Sequence, residues 1–392
     1  MIRASTFWMI AFAVCQWSSL VSTSVAGQVK PSRFADASVD ALIRELGGAV
    51  FAEREAAADE LARRGDKATD ALESTLDNPD LEIRLRAQQV LARIAKANLE
   101  TRLTAFVDDI EGKQEHDLPA WRSFEKQMGS GREMRELFAG MVRVEAAFLE
   151  MLDDKSADLS SDYNLRVRSL QANAIPGLER TVSPASLATL LFVGNDPRVI
   201  LNTSVGYQLY SLLSRTSSAD AIANGPQSAA MKKLLANWLI RSSTNAPLAR
   251  NGLMLAQRYK MNDVGLQLAR SLLSQKNVPT YVLPYAILAV GQFGEKKDGA
   301  LIEPLLANTT VCHSWHNPKF KEVIRIQVRD VALATVIHLQ GKDPKEFGFD
   351  LLRKDPNSLF YVYTLGFPAE KQRDAALAKW KEHRRKATAN RS

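Results

Sequence analysis

Two stretches of this chain, 245 residues apart, carry one nine-residue pattern: Ile83-Arg84-x-x-Ala87-x-x-x-Leu91 returns as Val328-Arg329-x-x-Ala332-x-x-x-Val336. The apolar positions recur every four residues, which puts them on one face of a helix. A second self-match appears when the chain is slid by 34 residues, pairing Leu253 with Ile287, Tyr259 with Phe293, Gly265 with Gly299, Leu268 with Ile302 and Leu272 with Leu306. That length suits one helix–turn–helix unit, which cannot bury its apolar stripe alone and so stacks on copies of itself. The repetition points to an all-α chain. The composition agrees, since aromatics make up only 7% of it while Ala and Leu, good helix formers, are abundant.

Helical signals follow densely along the chain. Val39, Leu42, Ile43 and Leu46 share a face that Gly47-Gly48 ends, and residues 51–64 form a helix closed by Gly65. Ala68, Leu72 and Leu76 mark a third helix. Ile83, Ala87, Val90, Leu91 and Ile94 mark a fourth, with Glu82 and Arg86 placed for an i,i+4 pair. Leu103, Phe106, Val107 and Ile110 form a further stripe, and residues 134–152 a long one. Charged, Ser-rich residues 153–162 offer an internal boundary. Helices are expected over 165–178, 186–192, from Asn195 through Leu213, and over 231–240, with a Ser/Ala/Gly-rich loop at 214–227. Two short helices at 284–293 and 300–308, a Cys/His-bearing loop and a long helix from Gln327 onward complete the C-terminal repeat.

Residues 1–26 read as an export signal. Arg3 is the positive start, residues 7–21 the apolar core, and Ser24-Val25-Ala26 the small residues before cleavage. The core is shorter than the ~20 residues a spanning helix needs; an uncleaved anchor is the alternative. The chain is thus expected in the periplasm, the cell envelope or the medium. Past this segment one cysteine remains, Cys312, so no intramolecular disulfide can form. The formal charge of +7, or +6 without Arg3, is compatible with acidic partners and does not call for nucleic acid.

The opening Phe51-x-x-Arg54-Glu55-x-Ala57-x-x-x-Leu61, the Gly65 turn and the Ile83-Arg84-x-x-Ala87 helix resemble the HEAT-repeat family, and the match returns over residues 282–339. Together with the export signal, Gln327-Val-Arg-Asp-Val-Ala-Leu and Gly341-Lys-Asp-Pro-Lys-Glu-Phe-Gly348 resemble the secreted HEAT-like proteins of planctomycete bacteria. The resemblance implies an α-solenoid of helical hairpins, irregular in the middle, and a binding role without catalytic residues. The expected division is a signal (1–26), a linker (27–37), an N-terminal HEAT-like region (38–155), an irregular helical middle (156–278), a C-terminal HEAT-like region (279–343) and a final helix with a basic tail (344–392).

Candidate chemistry is sparse. Cys312, His313 and His316 cluster, and His338 would complete a set suited to zinc or copper. The spacing fits no standard zinc signature; the opposing reading has Trp315 packing on the helices and Cys312 buried as a small apolar residue. Asp108-Asp109 and Asp153-Asp154 are paired acids, read as solvated helix ends because acid–base chemistry needs carboxylates converging across a cleft. Tyr207, Tyr210, Trp238 and Tyr259 would line an aromatic surface or serve as packing. The basic run Lys379–Lys386 offers contacts to anionic lipid or polymer, or ends the last helix in solvent. No Gly-rich phosphate loop, Gly-x-Ser-x-Gly elbow, His-Glu-x-x-His or calcium loop occurs. The expectation is therefore a non-enzymatic scaffold without a cofactor, holding a protein partner through residues such as Arg54, Arg84 and Arg329. Nucleic acid is not expected, nor membrane contact beyond an uncleaved signal. A metal-binding protein or metal-dependent enzyme is the alternative.

Overall fold

The structure, a computed structural model, describes residues 33–172, 182–316 and 323–389. The expected export signal, most of the linker and the end of the helix expected at 165–178 lie outside the described residues. Those described form seventeen α-helices and one two-stranded sheet, an overwhelmingly helical chain. Two compact units divide at Glu100/Thr101. The charged stretch at 153–162 lies inside the second.

The first unit contains α1 (Val39–Glu45), α2 (Phe51–Arg64), α3 (Asp66–Ser74) and the start of α4 (Leu81–Asp108). Its core is the set of apolar stripes seen in the sequence: Leu42 and Leu46, Ala57 and Leu61, Ala68 and Leu72, Ala87, Val90 and Ile94. Alanine at 57, 68 and 87 lets the helices approach closely. On the outer side Arg86 bonds both Glu82 (2.7 Å) and Glu55 of α2 (2.6 Å), and Arg93 bonds Asp59 (2.7 Å).

In the second unit two rows of helices pack against each other. One row runs α7 (Leu159–Ala172), α9 (Thr203–Leu213), α12 (Ala246–Arg258), α14 (Leu283–Phe293) and α16 (Val328–Leu339), each beside the next. The other runs α6 (Arg132–Asp153), α8 (Pro184–Val193), α11 (Ser228–Ser242), α13 (Asn262–Ser274) and α15 (Gly299–Ile302). Crossings are tight where glycine allows it. A Cβ on Gly206 of α9 would lie 2.3 Å from a Leu248 methyl of α12, and one on Gly291 of α14 would lie 2.6 Å from Thr335 of α16. The middle also holds a contact that bare stacking of neighbours lacks. The start of α11 reaches back about a hundred residues, with Ala230 N–H on Glu133 (3.0 Å) and Lys233 on the Met128 carbonyl (2.9 Å) at the end of α5 (Trp121–Met128).

Four expectations need correction. The helix expected from Asn195 begins only at Thr203, where Asn202 caps it by accepting the Val205 N–H. Residues 214–227 are not a loop: α10 (Thr216–Asn224) forms there, because Ile222 is buried against its neighbours and tertiary packing overrides the Ser-rich composition. The Cys/His segment is a strand, β1 (Val311–His316), paired antiparallel with β2 (Val323–Gln327). Ile324 and Ile326 of β2 point into the core while Val323 and Arg325 face out, the period of two that a strand imposes. The helix expected at 300–308 is α15 followed by a 3-10 segment, Glu303–Ala307, because Pro304 cannot donate the next helical bond. After α16 an irregular stretch buries Phe349, Phe360 and Phe367. The basic run then lies on α17 (Glu370–Ala389), docked through Trp380 against Phe347.

Candidate functional site

The structure separates the Cys/His set. Cys312 points inward, its thiol donating to the Ile326 carbonyl (3.4 Å), and burial with the nearby Asp330 charge pushes its pKa up to about 12. His313 and His316 are exposed on the same strand. His338 sits on α16 with its ring edge on Phe360 (5.8 Å), and burial and the Lys354 charge lower its pKa. Trp315 packs on Tyr363 (5.4 Å). Among the described residues no three of His, Cys, Asp and Glu converge as a metal ion requires.

The three arginines expected to face a partner are engaged internally. Arg54 donates to the Gly48 carbonyl (2.7 Å), Arg84 to the Asn78 carbonyl, and Arg329 to Gln327 and Glu370. Arg54 and Arg84 cap carbonyls of the turns before their helices, and Arg329 ties the start of α16 to Glu370. The paired acids also act locally: Asp109 accepts backbone N–H groups of Lys113 and Gln114 (2.9 Å each), and Asp153 that of Ala120 (2.8 Å). Trp238 and Tyr259 are core residues. Tyr207 is 43% exposed.

Tyr207 belongs to a surface formed by three consecutive helices of one row. Tyr210 of α9 reaches the sulfur of Met254 on α12 (3.9 Å). Arg250 of α12 donates to the Tyr285 hydroxyl on α14 (2.8 Å), its guanidinium 4.2 Å from that ring's centre. Two turns along, Gln257 donates to Gln292 of α14 (2.8 Å). At the other side Arg215, just past α9, donates to Gln171 of α7 (3.0 Å). The pattern arises because α12 is buried on most of its circumference, leaving Pro247, Arg250, Met254, Gln257 and Arg258 at three- and four-residue spacing near solvent.

No acidic residue occurs on α9, α12 or α14. Between residues 197 and 294 there are ten basic and two acidic side chains, a net +8 against +7 for the whole chain. The positive surplus of the molecule therefore lies in this segment. Running net charge along the sequence would have revealed it; repeat and motif reading passes over it because no single residue stands out. Of those ten cations Arg250 and Arg258 lie on α12, while Lys232, Lys233 and Arg241 lie on α11 and Arg270 on α13 of the other row. No protein-family model matches the chain, and no curated protein and no solved structure matches it.

Proposed function

We propose that this chain is an exported, non-enzymatic scaffold of the cell envelope, a HEAT-like α-solenoid that holds a protein partner along the face of α9, α12 and α14. The two helix rows support the solenoid reading, as do side-chain bonds between successive helices of one row at separations of 42, 44 and 35 residues. The last separation sits beside the 34-residue offset of the sequence self-match. The observation that carries the partner reading is the acid-free surface bearing Tyr207, Arg250, Met254, Arg258 and Gln292. Its charge complements an acidic partner segment, and its rigid tyrosines supply contact area at low entropic cost.

The test is photo-cross-linking in intact envelopes, with the reactive residue placed at Tyr207 or Gln292 and, as control, at exposed Gln267 of α13 in the other row. One discrete protein adduct at the first two positions and none at the third is expected. The Arg250→Glu/Arg258→Glu variant should reduce it at least tenfold, about 1.4 kcal/mol of affinity. Equal capture at Gln267, or none at Tyr207 and Gln292, would sink the proposal.

A further inference from the structure

The second unit contains a cleft of about 610 Å³ whose lining includes Gly112, His116, Trp121, Glu125, Arg135 and Asp153. That volume lies within the usual range for small-ligand sites. At its floor is Arg135, a charged side chain only 2% exposed. Its guanidinium lies 4.8 Å from the Phe106 ring centre and 5.1 Å from that of Trp121. Nη1 donates to the Phe106 carbonyl (2.9 Å) and Nε to the Ser130 carbonyl (3.1 Å). Nη2 donates to nothing among the described residues, and none of their carboxylates pairs with Arg135. It lies beside Gly112, another lining residue, where an added Cβ would sit 3.5 Å from it. A buried guanidinium with carbonyls and rings around it but no counter-ion is a charge still short of its natural partner.

The loop above it is firmly held. Asp109 takes two backbone N–H groups and His116 Nε2 (3.0 Å), and the backbone bonds keep its carboxyl low, at about 2. Nε2 is the His116 ring nitrogen engaged by Asp109, and Nδ1 makes no hydrogen bond to the described residues. Asp117 and Ala120 adopt positive φ (42° and 60°), held by Arg102 on the Asp117 carbonyl (2.9 Å) and by Asp153 on the Ala120 N–H. The walls carry both signs. Glu115 is paired with Arg122, whereas Glu125 has no ion-pair partner among the described residues and Asp153 keeps Oδ1 uncommitted. With Lys113, Arg122 and Arg135 set against Glu115, Asp117, Glu125 and Asp153, a lone dianion such as phosphate meets carboxylates as well as cations. They favour a ligand that brings a cation together with its carboxylate.

We propose that this cleft binds a small zwitterion, a free α-amino acid whose carboxylate pairs with Arg135 Nη2 and whose ammonium faces Glu125 and Asp153. The site is separate from the α9, α12 and α14 surface and does not depend on the partner reading. The test is titration calorimetry of the full chain with L-alanine, with acetate, methylamine and inorganic phosphate as comparisons, alongside the imidazole NMR signals of His116. Saturable binding of alanine at least tenfold tighter than that of acetate or methylamine is expected, with His116 signals moving in step. Arg135→Lys, which keeps the cation but loses the free fork nitrogen, should weaken it at least tenfold. Arg250→Glu should leave it unchanged, so that failure here and failure of the scaffold reading stay distinguishable. No saturable alanine signal, phosphate or acetate binding as tightly as alanine, or an Arg135→Lys protein that folds normally and binds as before would each overturn the proposal.

Discussion

Asp330 and Arg373 form the most deeply buried ion pair of the described chain, at 1% and 4% exposure and 2.8 Å apart. Asp330 also accepts the Gln327 N–H (2.9 Å), closing the start of α16, while Arg373 donates to the Arg325 carbonyl of β2 (2.9 Å) and ties in α17. Burial is the largest influence on the Asp330 carboxyl and raises its pKa, outweighing the pull of Arg373. The pair therefore gives little net stability relative to an apolar pair of similar size, yet removing Asp330 leaves the buried guanidinium of Arg373 with only the half-exposed Glu370 as a carboxylate partner. Asp330→Ala should cost about 3 kcal/mol, the low end for a broken buried pair because Glu370 stays on Arg373. In Asp330→Leu/Arg373→Met no charge is stranded. What remains is the lost helix-start bond and the bare Arg325 carbonyl, about 1 kcal/mol each or about 2 in all. The assay is urea unfolding of the three proteins, checked by calorimetry, where the single variant should lower the midpoint by roughly 6–12 °C and the double by roughly two-thirds of that or less. A double variant no more stable than the single one would refute the reasoning, because it would mean the pair itself, and not the stranded guanidinium, carries the energy.

Other outcomes follow from single sites. Gly206→Ala should destabilise by about 1–2 kcal/mol, because a Cβ 2.3 Å from buried Leu248 overpacks the α9–α12 crossing by more than the helix gains from alanine; Gly140→Ala in α6, with its nearest neighbour at 3.8 Å, should instead stabilise by about 0.5–1 kcal/mol in the same urea titration. Cys312 should resist iodoacetamide at pH 8, reacting about a thousandfold more slowly than a free thiol until the chain is unfolded, since its pKa is pushed up to about 12. Mass spectrometry of timed reactions reads this directly. For Asp109 the folded carboxyl lies below its ordinary value of 3.8, at about 2, so its stabilisation is fully present above that ordinary value and is lost as pH falls through about 2. The gap in unfolding midpoint between wild type and Asp109→Asn should hold steady from pH 7 to pH 5 and close toward pH 2.

The helices most legible in the sequence are those whose own side chains decide them. α2 begins and ends at Phe51 and Arg64 as its pattern implies, since Ala57 and Leu61 define its buried face and Gly65, at φ +60°, stops it. β2 was missed although Ile324 and Ile326 alternate with Arg325 and Gln327, because its partner β1 runs Val, Cys, His, Ser, Trp and His with hardly any apolar face, so the pairing is visible only in three dimensions. α10 was hidden for the opposite reason: its Ser and Ala residues specify little locally, and the helix, with Ile222 buried, is held by α8, α9 and α11. Cys312 and the three histidines have the right chemistry for a metal. What the sequence could not tell was direction, and one strand step turns Cys312 inward and His313 out.

The same lesson separates two kinds of arginine. Arg198 donates to the Leu152 and Asp154 carbonyls at the end of α6, and Arg241 to those of Gly194 and Val199 after α8. Helix ends leave carbonyls unpaired and carry partial negative charge, so a guanidinium there satisfies several acceptors at once. Arg54 and Arg84 do the same for the turns that precede their own helices. These cations are consumed by the fold, and a count of basic residues overstates the charge available to a ligand. Arg250 spends its charge differently, on a tyrosine face and a hydroxyl, and Arg215 on a neutral amide. Neither acceptor neutralises a guanidinium. The field of those arginines therefore extends outward from α9, α12 and α14, and a partner's carboxylates would meet it there rather than at the repeat-motif arginines Arg84 and Arg329.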